Sequence, residues 1–144
     1  MAGDRLFVGS QNGTVYALDI RTGCVHWTYT AAGGVRTAPT FGPRPGSSAF
    51  ALYFGDTGAN VYAVDADSGE VLWKRRVDAH PFARVTGTPT LYQGRLYIPI
   101  SSLEETAAGQ PGYECCTFRG SVVALRVHDG SNVWKTYLDR KSVV

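Results

Sequence analysis

Apolar and polar residues alternate in short bursts along this chain, and the bursts return in a fixed order. Residues 15–27 read VYALDIRTGCVHW, residues 61–73 read VYAVDADSGEVLW, and residues 122–134 read VVALRVHDGSNVW. Each phrase is a β-favouring run, a turn rich in Asp, Ser and Gly, and a second short run closed by tryptophan. Within one unit the pattern predicts four strands, lettered A to D from the inside outward, over 36–41, 51–55, 60–65 and 71–74. The next unit repeats A and B at 87–91 and 95–99, and no segment sustains a helical period.

Self-similarity at a period of roughly 40–50 residues marks a propeller or array, because one unit cannot bury its apolar face alone. The fold expected is therefore all-β, a partial β-propeller of about three four-stranded blades. The first blade is incomplete (4–30), the second spans 35–76, and the third spans 85–138. Three units do not close a ring, so the chain reads as part of a larger propeller. A compact, cooperatively melting monomer would count against that reading.

The recurring letters have structural readings. Asp19 and Asp65 suit side-chain acceptors in a tight turn, and Gly23 and Gly69 suit its positive-φ position. Ala17, Ala63 and Ala124 are small enough for close sheet packing, and Trp27, Trp73 and Trp134 are large enough to cover the neighbouring blade.

The repeat also serves as a ruler. Phe7 to Val15 and Tyr53 to Val61 are each 8 residues, the spacing of a short B–C hairpin, whereas Tyr97 to Val122 is 25. The third unit therefore carries a 17-residue B–C insertion within 101–120. Connections this long inside a compact repeat are commonly functional. Strands alternate in direction, so the B–C and D–A connections emerge on one face. The insertion thus shares a face with Arg36, Arg84 and Thr86, which lead into strand A. Either these cations and the insertion surround a ligand, or the arginines pair with Glu104, Glu105 or Glu114 and pin a loop. Glu104 and Glu105 read individually as solvated loop charges.

Cys115 and Cys116 lie in the insertion. Adjacent Cα atoms across a trans peptide are about 3.8 Å apart, below the usual disulfide window of about 4.4–6.8 Å. A bridge would close a small rigid ring that adds little chain-entropy stabilisation. Such a ring makes sense as a flat surface for a planar ligand; the alternative is two thiols in a half-buried loop. Cys24 reads as a small packed hydrophobe.

Bulk properties narrow the function classes only slightly. A formal net charge of +2 over 144 residues offers no basic stripe for nucleic acid. No apolar run approaches the roughly 20 residues of a membrane span. The three cysteines have no metal-ligand spacing, and no Cys-x-x-Cys-His is present.

The pattern Ala-x-Asp-x-x-Thr-Gly-x-x-x-Trp, read at Ala17, Asp19, Thr22, Gly23 and Trp27, resembles the tryptophan-docking motif of quinoprotein alcohol dehydrogenases. Those are eight-bladed propellers that bind pyrroloquinoline quinone (PQQ). The second copy departs by Ser68, and the third by Arg126 and Asp129, so a differently built third turn is expected. Residues 81–89, 97–105 and 113–121 resemble the polyvinyl alcohol dehydrogenase branch. The resemblance implies oxidation of a secondary alcohol, small or polymeric, by hydride transfer to PQQ, with Ca2+ as Lewis acid. It implies that Cys115 and Cys116 form a vicinal disulfide against the quinone and that Arg119 contacts it, while Arg36, Arg84 and Thr86, placed on the same face by blade topology, are the further cofactor-binding candidates. It further implies a cytochrome c or haem domain as electron acceptor, a periplasmic setting, further blades, and a catalytic base and calcium ligands outside this chain. Related PQQ-like propellers are cofactor-free scaffolds in outer-membrane assembly, which is the competing expectation.

Overall fold

The computed structural model describes residues 3–139. Strands β1 (Arg5–Gly9), β2 (Thr14–Asp19) and β3 (Val25–Thr30) form one antiparallel sheet. Strands β4 (Thr40–Pro43), β5 (Phe50–Gly55), β6 (Asn60–Asp65) and β7 (Val71–Arg76) form a second, in chain order. The third contains β8 (Ala83–Arg84), β9 (Thr90–Tyr92), β10 (Arg95–Ser102), β11 (Ser121–Arg126) and β12 (Asn132–Tyr137), with helix α1 (Glu104–Ala108) between β10 and β11. Both β8 and β9 pair with β10, so the innermost strand of this sheet is split in two.

Strand A starts later than the sequence pattern predicts, at Thr40 rather than 36 and at Thr90 rather than 87. Each start directly follows a proline, Pro39 or Pro89, which has no N–H to give to a ladder. Ahead of Pro39, the Thr37 hydroxyl takes over. It donates to Gly55 O at 3.3 Å and accepts from Gly55 N at 3.2 Å.

The repeated phrase is one structural unit in all three sheets. Ala17, Ala63 and Ala124 each lie directly across the C–D ladder from Trp27, Trp73 and Trp134. A register shift follows each of these alanines. In the first turn Asp19 Oδ1 accepts the N–H groups of Arg21 and Thr22 and the Thr22 hydroxyl. Asp65 does the same with Asp67 and Ser68. The third turn keeps the backbone but changes the side chains. Gly130 N donates to Arg126 O as Gly69 N donates to Asp65 O. The side-chain acceptor is now Asp129, which takes the Ser131 N–H at 2.9 Å.

The cores lie between sheets. One cluster includes Val15, Val35, Leu52, Phe54, Tyr62 and Val64, shared by the first and second sheets. The other includes Ala51, Tyr53, Val61, Ala63, Val85, Leu96 and Ile98, shared by the second and third. The middle sheet feeds both because alternate residues of β5 and β6 point to opposite faces. Leu52 and Phe54 go one way, Ala51 and Tyr53 the other. Cys24 departs from its expected packing: it is an exposed free thiol directly after the Gly23 turn, outside both cores.

Candidate functional site

The B–C insertion of the third sheet is packed and internally bonded. Strand β10 runs on to Ser102, where Ser101 and Ser102 pair with Arg84 and Ala83 of β8. Leu103 N donates to Phe82 O at 3.1 Å, and α1 begins at Glu104. The return limb packs back on the same segment. The Phe82 and Tyr113 rings meet edge-on at 5.8 Å, and those of His80 and Phe118 at 5.5 Å. Residues 80–84 and the insertion thus form one unit on the B–C face.

Glu104 is the buried centre of that unit, not a solvated charge; only 2% of it is exposed. Its Oε1 accepts the Tyr113 hydroxyl at 2.7 Å, the Thr117 N–H at 2.7 Å and the Thr117 hydroxyl at 3.2 Å. Its Oε2 accepts the Phe118 N–H at 2.8 Å. The Thr117 backbone N–H, followed by the Tyr113 hydroxyl and the Phe118 N–H, holds its carboxyl at about 2, well below the ordinary glutamate value. The same bond pushes the Tyr113 phenol up. His80 Nε2 stands 2.9 Å from Thr117 Oγ1 and 3.9 Å from Glu104 Oε1.

Cys115 and Cys116 are joined in a vicinal disulfide, with Cα atoms 3.1 Å apart across a cis peptide bond. Both residues are exposed, on a limb bracketed by Tyr113 and Thr117.

The other residues expected at the site fall into two groups. Arg84 and Thr86 lie beside the insertion. Arg84 Nη1 donates to Pro81 O at 3.0 Å and Ala83 O at 2.8 Å. Its Nε and Nη2 have no partner among the described residues. Thr86 Oγ1 is 2.8 Å from Ser101 Oγ. Arg36 is exposed on the second sheet's lead-in, at the repeat position that Thr86 occupies in the third, and has no ion pair among the described residues. None of these arginines pairs with Glu104, Glu105 or Glu114 among the described residues, so the loop is not pinned in that way.

Arg119 is placed differently. Its Nε lies 3.0 and 2.9 Å from the two oxygens of Asp139, and its guanidinium stacks 4.0 Å from the Tyr137 ring centroid. Tyr137 ends β12, and the sheet order is β12-β11-β10-β8. At about 4.8 Å per strand, the outer edge lies roughly 14 Å from β8. Arg119 anchors the outer end of the insertion, while Arg84 stands at its inner end.

Two groups were missed or misread in the sequence. Asp56, fully buried in the B–C turn of the second sheet, accepts the Tyr62 hydroxyl at 2.7 Å and the N–H groups of Gly58 and Asn60. Its carbonyl accepts Val85 N at 3.1 Å, tying the Arg84–Thr86 segment to the neighbouring sheet. Glu104 is the other. Nothing in the local sequence separates a buried Glu104 from an exposed Glu105, since the donors sit 9 to 14 residues away.

Among the described residues no group of three or more His, Cys, Asp or Glu could hold a metal ion. Among them, too, no helix is long and apolar enough to cross a membrane.

Three successive antiparallel sheets of three, four and five strands, with Trp27 and Trp73 each docked on the next sheet and a disulfide-bearing insertion in the third, define part of a β-propeller. A family model described as "Outer membrane protein assembly factor BamB" (PQQ_2) matches residues 1–143, and the chain belongs to this family of PQQ-type propeller repeats. It is 42% identical over 143 residues to a polyvinylalcohol dehydrogenase of a Pseudomonas species, covering 98% of this chain and 22% of that protein. It is 44% identical over 137 residues to the polyvinylalcohol dehydrogenase of a Sphingopyxis species, covering 94% of this chain and 21% of that protein. Among solved structures, a europium-containing methanol dehydrogenase superposes with a TM-score of 0.74 at 21% identity, over 95% of this chain and 23% of that one. The chain therefore spans about a fifth of the length of the curated relatives it matches.

Proposed function

We propose that this chain supplies part of the cofactor-binding wall of a PQQ-dependent alcohol dehydrogenase acting on secondary alcohols, small or polymeric. The observation that carries the reading is the exposed Cys115–Cys116 disulfide, on a limb packed through Tyr113, Thr117 and Phe118 against the 80–84 segment that ends in Arg84. These groups fit the chemistry of PQQ, a planar ring system bearing carboxylates. The disulfide offers a flat, polarisable, uncharged surface to a ring. The Nε and Nη2 groups of Arg84 and the guanidinium of Arg36, which have no partner among the described residues, and the Thr86 hydroxyl are donors suited to carboxylates. When bound, PQQ supplies the hydride-accepting chemistry that no amino-acid side chain provides.

The chain's own contribution is binding and orientation. Arg84 is fixed by the Pro81 and Ala83 carbonyls, so its free donors point from a preset frame. The Asp56–Val85 bond fixes that frame against the next sheet. Arg119 secures the far end of the insertion through Asp139 and Tyr137 rather than facing the ring. Among the described residues no group of three or more His, Cys, Asp or Glu fits the Ca2+ that such an enzyme uses as Lewis acid, and the reading assigns its ligands and the catalytic base to other blades. A periplasmic location and a cytochrome c or haem domain as electron acceptor complete the reading.

The description of the matching family favours a second reading, a cofactor-free interaction scaffold in outer-membrane assembly. The experiment that separates them titrates the full-length protein with PQQ and Ca2+ and follows dye-linked oxidation of secondary alcohols. Quinone binding that disappears in the Cys115→Ser/Cys116→Ser variant supports the dehydrogenase. A full-length protein that neither binds quinone nor oxidises alcohol leaves the scaffold.

A further inference from the structure

We infer that Glu104 is the positioning residue for the Cys115–Cys116 disulfide, holding it where a planar cofactor would rest. The inference builds on the cofactor reading above but stands on its own geometry. The disulfide lies on an exposed limb, yet the residues on either side of it are tied to one buried carboxylate. Tyr113, two positions before Cys115, donates its hydroxyl; Thr117, directly after Cys116, donates both its N–H and its hydroxyl; Phe118 adds a further N–H. All four donors come from the limb that carries the cysteines, and the acceptor stands at the start of α1 on the opposite limb. The carboxylate therefore closes the insertion across its waist.

The charges and titratable groups facing it are few. His80, carried by the 80–84 segment with its Nε2 3.9 Å from Glu104 Oε1, shares Thr117 Oγ1 with Glu104, and Tyr113 is the other. A buried anion with four well-aligned donors is a strong clamp, because each donor loses its water and keeps a charged partner. An amide at this position keeps one acceptor oxygen but presents an N–H group to one of the donors. Glu104→Gln therefore breaks part of the clamp at nearly constant volume. Glu104→Asp keeps the charge and shortens the reach.

The test uses the full-length protein and three readouts: the rate of Cys115–Cys116 reduction by dithiothreitol, amide hydrogen exchange at Thr117 and Phe118, and PQQ affinity by fluorescence quenching. In Glu104→Gln, reduction and local exchange rise on the order of tenfold, as expected for loss of one charged hydrogen bond. PQQ affinity falls, and combining this change with Cys115→Ser/Cys116→Ser weakens binding no further. Glu104→Asp restores part of the slow reduction. Tyr113→Phe, which removes one donor without touching the carboxylate, gives a smaller acceleration and guards against a misfolded Gln variant. Unchanged reduction and exchange in both Glu104→Gln and Tyr113→Phe overturn the role of Glu104. A wild-type protein that binds no PQQ overturns the cofactor reading instead, while reduction and exchange still decide whether Glu104 holds the disulfide.

Discussion

The indole Nε1 of Trp73 donates to the Val127 carbonyl at 2.9 Å, and its ring lies across Gly130. Trp27 does the same one repeat earlier, donating to Ala66 O at 3.1 Å and lying across Gly69. Each tryptophan therefore ends one sheet and caps the turn of the next. Trp134 occupies the equivalent position in the third sheet and is 38% exposed, against 7% for Trp73. Truncating Trp73 to Ala removes a buried ring and a hydrogen bond, a loss of about 3–5 kcal/mol. Trp134→Ala costs much less in this chain. Urea denaturation of the two variants checks the contrast.

Gly130 meets two demands at once. Its φ is +69°, and a Cβ there would stand 2.6 Å from Trp73 Cε3. Gly94 has a similar φ of +72° but open space around it. Gly94→Ala thus carries only the left-handed backbone cost of about 1–2 kcal/mol. Gly130→Ala is more destabilising because the docked ring must also shift. Equal losses in thermal denaturation would contradict tryptophan docking as the second demand.

Acid should loosen the insertion before it unfolds the sheets. Glu104 has its carboxyl held at about 2, so the folded form favours the anion. Its stabilisation is complete above the ordinary glutamate value and is lost as pH falls from there toward about 2. Amide exchange at Thr117 and Phe118, corrected for intrinsic rates, is expected to rise across that window in the wild type. In Glu104→Gln the same step disappears.

Tyr62 links two sheets through one hydroxyl, donating to Asp56 Oδ2 at 2.7 Å and accepting from Ala32 N at 3.0 Å. Burial, then the hydrogen bond to Asp56, pushes this phenol above its ordinary range. Tyr62→Phe leaves both partners short of a bond, a loss of roughly 1–3 kcal/mol. Chemical denaturation measures it, and a neutral result would mean that water replaces the hydroxyl.

The proposed cofactor contact at Arg84 and the loop anchor at Arg119 give different expectations. In the full-length protein, Arg84→Gln is expected to weaken PQQ binding on the order of tenfold, the loss of one charge-assisted bond. Arg119→Gln is expected to leave affinity within about twofold, since its charge is already spent on Asp139 and Tyr137. The opposite ranking in a quinone titration would place Arg119 at the ring.

Much of this was legible in the chain itself. The strands of the second unit, the turn glycines and the tryptophan at each repeat end are local features, read from alternation and turn chemistry within a dozen residues. The insertion was legible for the same reason, since a regular period makes a break measurable. Prolines 39 and 89 shifted strand A because a missing N–H acts at the ladder, which alternation does not register.

The sequence by itself determined the propeller-type repeat, the position of its interruption and the adjacency of Cys115 and Cys116. Only the tertiary structure decided that Glu104 is buried and bonded to the residues flanking them, that Arg119 is engaged by Asp139, and that Asp56 ties Val85 to the neighbouring sheet. The physical reason is range. Strand, turn and period arise from neighbours along the chain, whereas the fate of a charge depends on donors brought to it from other strands.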